Sequence, residues 1–219
     1  MVLQNPQVAV TMRYTNVVFD IDGTLIDTER AALESLSDTI LELTGEYREP
    51  ESLWFAFGPP AHVTIERVGL PMDKGLAMWY EKFGAAFATS VTAFDGVRDL
   101  LERLTAEGCR LGVVTSKVRF EYEANFGPFG MCHLLPVAVC CDECEAPKPS
   151  PAPMLRYLEL TGAEAEQTLF VGDTVYDAEC AHGAGVDFAL AVWGAQDKEV
   201  EAEFYPQQPS DLLDIVLGR

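Results

Sequence analysis

Val17-Val18-Phe19-Asp20-Ile21-Asp22-Gly23-Thr24-Leu25 is the stretch on which the fold turns. An apolar run, entered from Tyr14, stops at two acidic residues two positions apart, with glycine next. This reads as a short buried strand emptying into a loop. Two carboxylates at the end of a buried strand can both project toward the C-terminal edge of a sheet, where open α/β sheets bind ligands. Keeping two negative charges so close is costly unless a cation or a proton compensates. Gly23 permits a sharp turn and a close approach of backbone to ligand. Alone, the motif also fits a plain turn capped by aspartates.

Outward from this stretch, Arg110 to Thr115 (RLGVVT), Thr168 to Val171 (TLFV) and Asp187 to Val192 (DFALAV) read as buried strands, with Pro136 to Val139 a further candidate. Helical patterns lie between them. Val97, Leu100, Leu101 and Leu104 recur at helical spacing, with Gly108 as a stop signal. Pro151 to Leu160 starts with prolines, which suit a first helical turn, and Asp173 to Ala184 is another helix candidate. Strands alternating with helices predict an α/β fold with a mostly parallel sheet covered on both faces. The segment from Thr28 to Ser90 breaks the alternation. Ala31 to Leu43 and Met72 to Ala88 read as helices around the breaker cluster Phe57-Gly58-Pro59-Pro60. It reads as a helical insertion after the first strand, with the chain rejoining the core near Ala93-Phe94-Asp95-Gly96.

Three more motifs carry chemistry. Thr115 and Ser116 follow an apolar strand, where a hydroxyl and the next amides can bind a phosphoryl oxygen; a helix cap is the alternative. Lys148 stands in Ala146-Pro147-Lys148-Pro149-Ser150-Pro151, where flanking prolines restrict the backbone and present the ammonium as a point charge. Phe170-Val171-Gly172-Asp173-Thr174-Val175-Tyr176-Asp177 again ends a buried strand in an aspartate, with a second four residues on. Asp173 offers oxygen to a hard cation, and Asp177 offers support behind it.

Composition narrows the partners. The chain has 219 residues and a formal net charge of −20. Nucleic acid and anionic membrane surfaces would be repelled. An anionic substrate would need positive charge supplied inside the site, most simply by a metal ion. Met1 to Thr15 does not read as a signal peptide, and no run of eighteen apolar residues suggests a membrane span. The expectation is a soluble, cytoplasmic protein. Cys141 and Cys144 form a single C-x-x-C; without a second pair or a suitably spaced histidine, it reads as reduced thiols.

Taken in order, the carboxylate pair, hydroxyl, lysine and second carboxylate pair resemble the haloacid dehalogenase superfamily of phosphohydrolases. The resemblance spans most of the chain. It is most similar to the phosphoglycolate phosphatase and pyrophosphatase group, on Asp22-Gly23-Thr24-Leu25, Val114-Thr115, Lys148-Pro149 and Gly172-Asp173. This implies a Rossmann-like three-layer core (1–27 and 92–219) and a small all-helical cap (28–91). It also implies that Asp20 attacks phosphorus, that Asp22 serves as general acid and base, and that Thr115 and Lys148 neutralise the phosphoryl oxygens. Mg²⁺ would be held by the Asp20 carboxylate, the Asp22 backbone carbonyl and Asp173, with Asp177 behind them. Gly23, Ser116 and, from the cap, His62 are expected at the phosphate or substrate; Arg67 and Arg119 are considered for an anionic leaving group. The implied activity is hydrolysis of a small phosphorylated metabolite. Haloacid dehalogenases and phosphonate-cleaving relatives lack the second aspartate, which is present here as Asp22. β-Phosphoglucomutases keep it but carry a histidine ten residues later, where this chain has Ala32. The alternatives are therefore a phosphosugar mutase and a non-catalytic binder of phosphorylated ligands.

Overall fold

The computed structural model describes residues 12–219. Most of the Met1 to Thr15 stretch, and the signal-peptide reading placed on it, lies outside that range. In chain order the elements are β1 (Asn16–Phe19), β2 (Ile26–Asp27), α1 (Glu29–Thr44), α2 (Ala61–Val68), α3 (Met72–Ser90), β3 (Thr92–Ala93), α4 (Val97–Ala106), β4 (Arg110–Val114), α5 (Arg119–Glu121), β5 (Val137–Val139), α6 (Ala152–Thr161), β6 (Thr168–Gly172), α7 (Val175–Gly183), β7 (Asp187–Leu190) and α8 (Leu212–Leu217).

Five strands form one parallel sheet in the order β5-β4-β1-β6-β7, so the strand that carries Asp20 is central. Its side chains alternate between two cores, as the two-residue period of a strand requires. Val17 and Phe19 join Leu111, Val113, Leu169 and Val171 beneath α4 and α8. Val18 joins Val114, Phe170 and Phe188 beneath α6 and α7. Both faces are covered, which is why the strands read as unbroken apolar runs. Gly112 is required by packing: a Cβ there would meet the Tyr157 ring at 2.2 Å.

Helices α1, α2 and α3, with the short turn Pro50–Ala56 between α1 and α2, form a third apolar cluster of their own, built on Leu36, Ile40, Leu53, Ile65 and Trp79. The chain leaves the sheet for this segment and returns through β2 and β3, which pair antiparallel with Ile26 opposite Ala93 and Asp27 opposite Thr92. This ribbon was not expected; strands of two residues are too short for alternation to register. Helix α7 starts at Val175 rather than Asp173, because Thr174 caps it and Asp173 stays at the strand end. Among the described residues no helix is long and apolar enough to cross a membrane.

Candidate active site

The parallel register puts Phe19 level with Val113 and Val171. Asp20, Thr115 and Asp173 therefore emerge within two residues of one another at the same sheet edge. The Asp20 amide donates to Val171 O at 2.9 Å and the Thr115 amide to Val139 O at 3.1 Å, so both remain anchored in the ladder. Beyond Asp20 the chain wraps on itself: the Leu25 and Ile26 amides both donate to Ile21 O, at 2.9 and 3.0 Å. This turn presses Gly23, at φ 75°, against Asp173. A Cβ on Gly23 would lie 2.1 Å from Asp173 Oδ2, and one on Gly194 would lie 1.7 Å from Gly23 O. Glycine at both positions is what lets the carboxylate approach the turn.

Asp20, Asp173 and Asp177 are all buried, and each offers a carboxylate oxygen within 4.8 Å of the others. Lys148, 3% exposed, enters this group. Its Nζ lies 2.5 Å from Asp177 Oδ1 and 3.0 Å from Asp20 Oδ1, the second approach lying off the line of a directed hydrogen bond. Asp177 is fixed in turn, its Oδ2 accepting from the Thr174 amide (3.0 Å) and hydroxyl (2.7 Å). Thr24 donates to Asp173 Oδ1 at 3.0 Å, while Asp173 Oδ2 is buried without a partner.

Burial dominates the electrostatics. It pushes the Asp20 carboxyl up to about 7; Lys148 opposes the shift, and the nearby Asp177 and Asp22 carboxylates add to it. Burial likewise raises Asp173 well above the ordinary carboxylate range, with Asp177 and Asp20 adding to the effect. Burial disfavours the Lys148 ammonium, but Asp177 and Asp20 outweigh that and hold its pKa well above the usual lysine value. Three carboxylates facing one ammonium leave an excess of buried negative charge. An all-oxygen donor set with an unpartnered buried oxygen fits a hard divalent cation of the Mg²⁺ type.

Asp22 is engaged differently. Its Oδ1 accepts from the Thr28 hydroxyl at 2.8 Å, and its Oδ2 lies 2.9 Å from Lys117 Nζ. Its side chain is thus not part of the three-carboxylate group, which leaves its backbone carbonyl as the expected metal contact. Lys117 is buried over the Phe83 ring, at 5.4 Å from the centroid. Burial disfavours its charge, but Asp22 and Glu121 more than compensate and raise its pKa above the ordinary value.

Asp20, Asp22, Ser116 and Lys117 line one cleft, closed on its other side by residues of the helical segment. Ser116 Oγ is buried there and has no hydrogen-bond partner. Thr115 is buried, and its Oγ1 accepts from the Lys117 amide at 3.3 Å. His62 is not brought to this group: it is exposed in the first turn of α2 and does not line the cleft. Arg67 stacks over Phe55 at 4.2 Å beside a different cavity. Arg119 is committed to Glu143, at 2.7 and 2.9 Å, and to Ala138 O. Cys141 is buried and its thiol is pushed up to about 12 by that burial, which suits an inert reduced thiol.

The sequence reading did not assign roles to Thr24, Thr28, Thr174, Lys117 or Glu121. Lys117 carried a usable signal, a lysine two positions after the strand-end hydroxyl. Thr28 and Glu121 carried none, because their roles depend on how the helical segment meets the sheet.

The model of the haloacid dehalogenase-like hydrolase family matches residues 17–191. A candidate pyrophosphatase PpaX from Caldanaerobacter subterraneus is 30% identical over 212 residues, spanning 94% of this chain and 96% of its own. Pyrophosphatase PpaX from Halalkalibacterium halodurans is 29% identical over 94% of this chain and 98% of its own. Among solved structures, a candidate phosphoglycolate phosphatase from Lactobacillus plantarum superposes with a TM-score of 0.83 at 30% identity, covering 93% of this chain and 100% of that one. CbbY from Rhodobacter sphaeroides, solved with phosphate, shares the fold with a TM-score of 0.79 at 22% identity, over 91% of this chain and 96% of its own.

Proposed function

The chain belongs to the haloacid dehalogenase-like hydrolase family, and from that premise we propose that it is a Mg²⁺-dependent phosphatase acting on a small phosphorylated metabolite through an aspartyl-phosphate on Asp20. The observation that carries the reading is the convergence of Lys148 and the unpartnered Asp173 Oδ2 on Asp20 at the strand ends. Residues 1–27 and 92–219 form the core in this reading, and 28–91 the cap, a division supported by the separate apolar cluster of the helical segment. Its cytoplasmic placement rests on the free thiols.

In the first step an Asp20 oxygen bonds to phosphorus as the bond from phosphorus to the leaving oxygen breaks, and Asp22 gives that oxygen a proton. In the second, Asp22 takes a proton from water, whose oxygen attacks phosphorus and releases Asp20 and inorganic phosphate. Splitting the reaction in two divides a difficult barrier. Asp20, Asp173 and the Asp22 carbonyl would hold the cation. When bound, it supplies charge neutralisation for the phosphoryl oxygens and keeps Asp20 ionised despite its burial. Lys148 contributes fixed positive charge, and Asp177 orients Lys148. Ser116, with a buried unpartnered hydroxyl, is suited to a phosphoryl oxygen, and Thr115 supports the loop that presents it. Positioning and charge stabilisation carry phosphoryl transfer. Ala32 lines the cleft and has no proton to give, which favours hydrolysis over a mutase cycle.

The test is release of phosphate from p-nitrophenyl phosphate with Mg²⁺. Asp20→Asn, verified as folded by circular dichroism, is expected to lower kcat at least about a thousandfold. Undiminished turnover in that variant would refute Asp20 as nucleophile.

A further inference from the structure

The cleft above Asp20 has an uneven distribution of charge. Its far wall carries the aromatic rings of Phe57, Trp79, Tyr80 and Phe83 together with Ala32 and Ala56. The indole of Trp79 has spent its one donor within the helical segment, on Ser35 Oγ at 3.0 Å and Ala32 O at 3.3 Å, so what remains for the cleft is ring. Tyr80, in the lining, packs edge-on against Phe120, with centroids 5.5 Å apart.

Lys117 is the one cation lining this cleft among the described residues. It is paired with Asp22 and flanked by Glu121, itself in the lining. The arginines close in sequence to the cleft walls are committed elsewhere, Arg30 to Glu34, Arg119 to Glu143 and Arg67 to the Phe55 ring. Lys148 stands at the phosphoryl end, held by Asp20 and Asp177. No uncommitted positive charge therefore waits for a second anionic group on the substrate. A buried carboxylate or second phosphate beside Glu121 would incur desolvation without a partner of its own. Aromatic walls instead favour flat or apolar surface.

We propose that the preferred substrate is a phosphate monoester whose leaving alcohol is uncharged and ring-bearing, and that pyrophosphate and carboxylate-bearing esters are disfavoured. The inference rests on the phosphatase reading and sharpens its substrate class. It separates this chain from what the names of its pyrophosphatase relatives indicate for those proteins.

The experiment measures kcat/KM with Mg²⁺ for benzyl phosphate, ethyl phosphate, 2-phosphoglycolate and pyrophosphate. Benzyl and ethyl phosphate differ in the ring and not in charge; 2-phosphoglycolate adds a carboxylate to an ester of ethyl size. Benzyl phosphate is expected to exceed ethyl phosphate by about tenfold or more, the scale a hydrophobic pocket provides, and ethyl phosphate to exceed both anionic substrates. In Phe83→Leu the benzyl-to-ethyl ratio should fall, chiefly through KM. The ratio is read within one preparation, so a misfolded fraction cancels. In Ala56→Arg, which adds a cation to the wall, the preference should move toward pyrophosphate. Equal values across the four substrates, or a preference for pyrophosphate or 2-phosphoglycolate in the native protein, would overturn the substrate class while leaving the phosphatase reading standing. Folded protein that releases phosphate from none of the four, nor from p-nitrophenyl phosphate, would overturn both.

Discussion

Lys117 Nζ lies 2.9 Å from Asp22 Oδ2, and Thr28 holds the other carboxylate oxygen of Asp22 from the start of the helical segment. One side chain thus takes a contact from the loop after β4 and another from the residue preceding α1. Asp22 is thereby aimed toward the leaving oxygen from both sides of the cleft.

Replacing Lys117 tests that orientation. Lys117→Met keeps length and apolar bulk over Phe83 but removes the charge that aims Asp22. We expect kcat to fall about 10- to 100-fold, within the range that general acid–base catalysis contributes. Lys117→Arg should recover part of the loss. Steady-state kinetics on ethyl phosphate checks this, with Asp20→Asn as the floor. A Lys117→Met enzyme with native kcat would show that Asp22 needs no cationic partner.

Gly23→Ala addresses the turn against Asp173. A φ of 75° costs a non-glycine residue about 1–3 kcal/mol, and the new Cβ would collide with the Asp173 carboxylate. The variant should be destabilised by at least that amount in urea titration. It should also lose most of the thermal stabilisation that Mg²⁺ gives the native protein, since Asp173 has to move. Retained Mg²⁺ stabilisation would argue that Asp173 is not a ligand.

The pH dependence follows from burial of Asp20 and Asp173. Both carboxyls are raised in the folded protein, Asp20 to about 7 from an ordinary value of 3.8. Between roughly pH 4 and 7 the folded state therefore binds more protons than the unfolded one. The contribution of these groups is fully favourable below pH 4, declines as pH rises, and levels off once both are ionised. Without divalent cation, Tm should carry this downward component, and Asp173→Asn should flatten it. Mg²⁺ competes with those protons, so the Tm gain from Mg²⁺ should be larger at pH 8 than at pH 5.5. Thermal melts in EDTA and in Mg²⁺ across that range decide it; a gain independent of pH would contradict the assignment.

The strands that build the sheet were readable because buried parallel strands leave unbroken apolar runs, and each run that matters ends in a polar residue: Asp20, Thr115, Asp173. Lys148 was readable from its prolines. Lys117 was visible but ambiguous, since a lysine after a strand is usually solvated and only the tertiary fold buries it on Phe83. His62 shows the reverse problem. Its place in the helical segment was legible, but the direction it faces depends on the rotation of α2, which one eight-residue helix does not reveal in advance. Helix α8 went unread because its apolar residues, Leu212, Leu213, Val216 and Leu217, span only six positions.

The pairing of Ile26 with Ala93 and of Asp27 with Thr92 has a consequence for modularity. The departure and return points of the α1–α3 segment are stitched side by side, so sixty-odd residues leave and rejoin the core through a single two-stranded ribbon. Whatever is spliced between Asp27 and Thr92 finds its two ends already held at the spacing of neighbouring strands, about 5 Å, and the loop-closure entropy is met by the ribbon instead of the graft. A foreign helical hairpin of matching span should be tolerated there with the five-stranded sheet intact, which makes this the natural seam at which to exchange one helical segment for another.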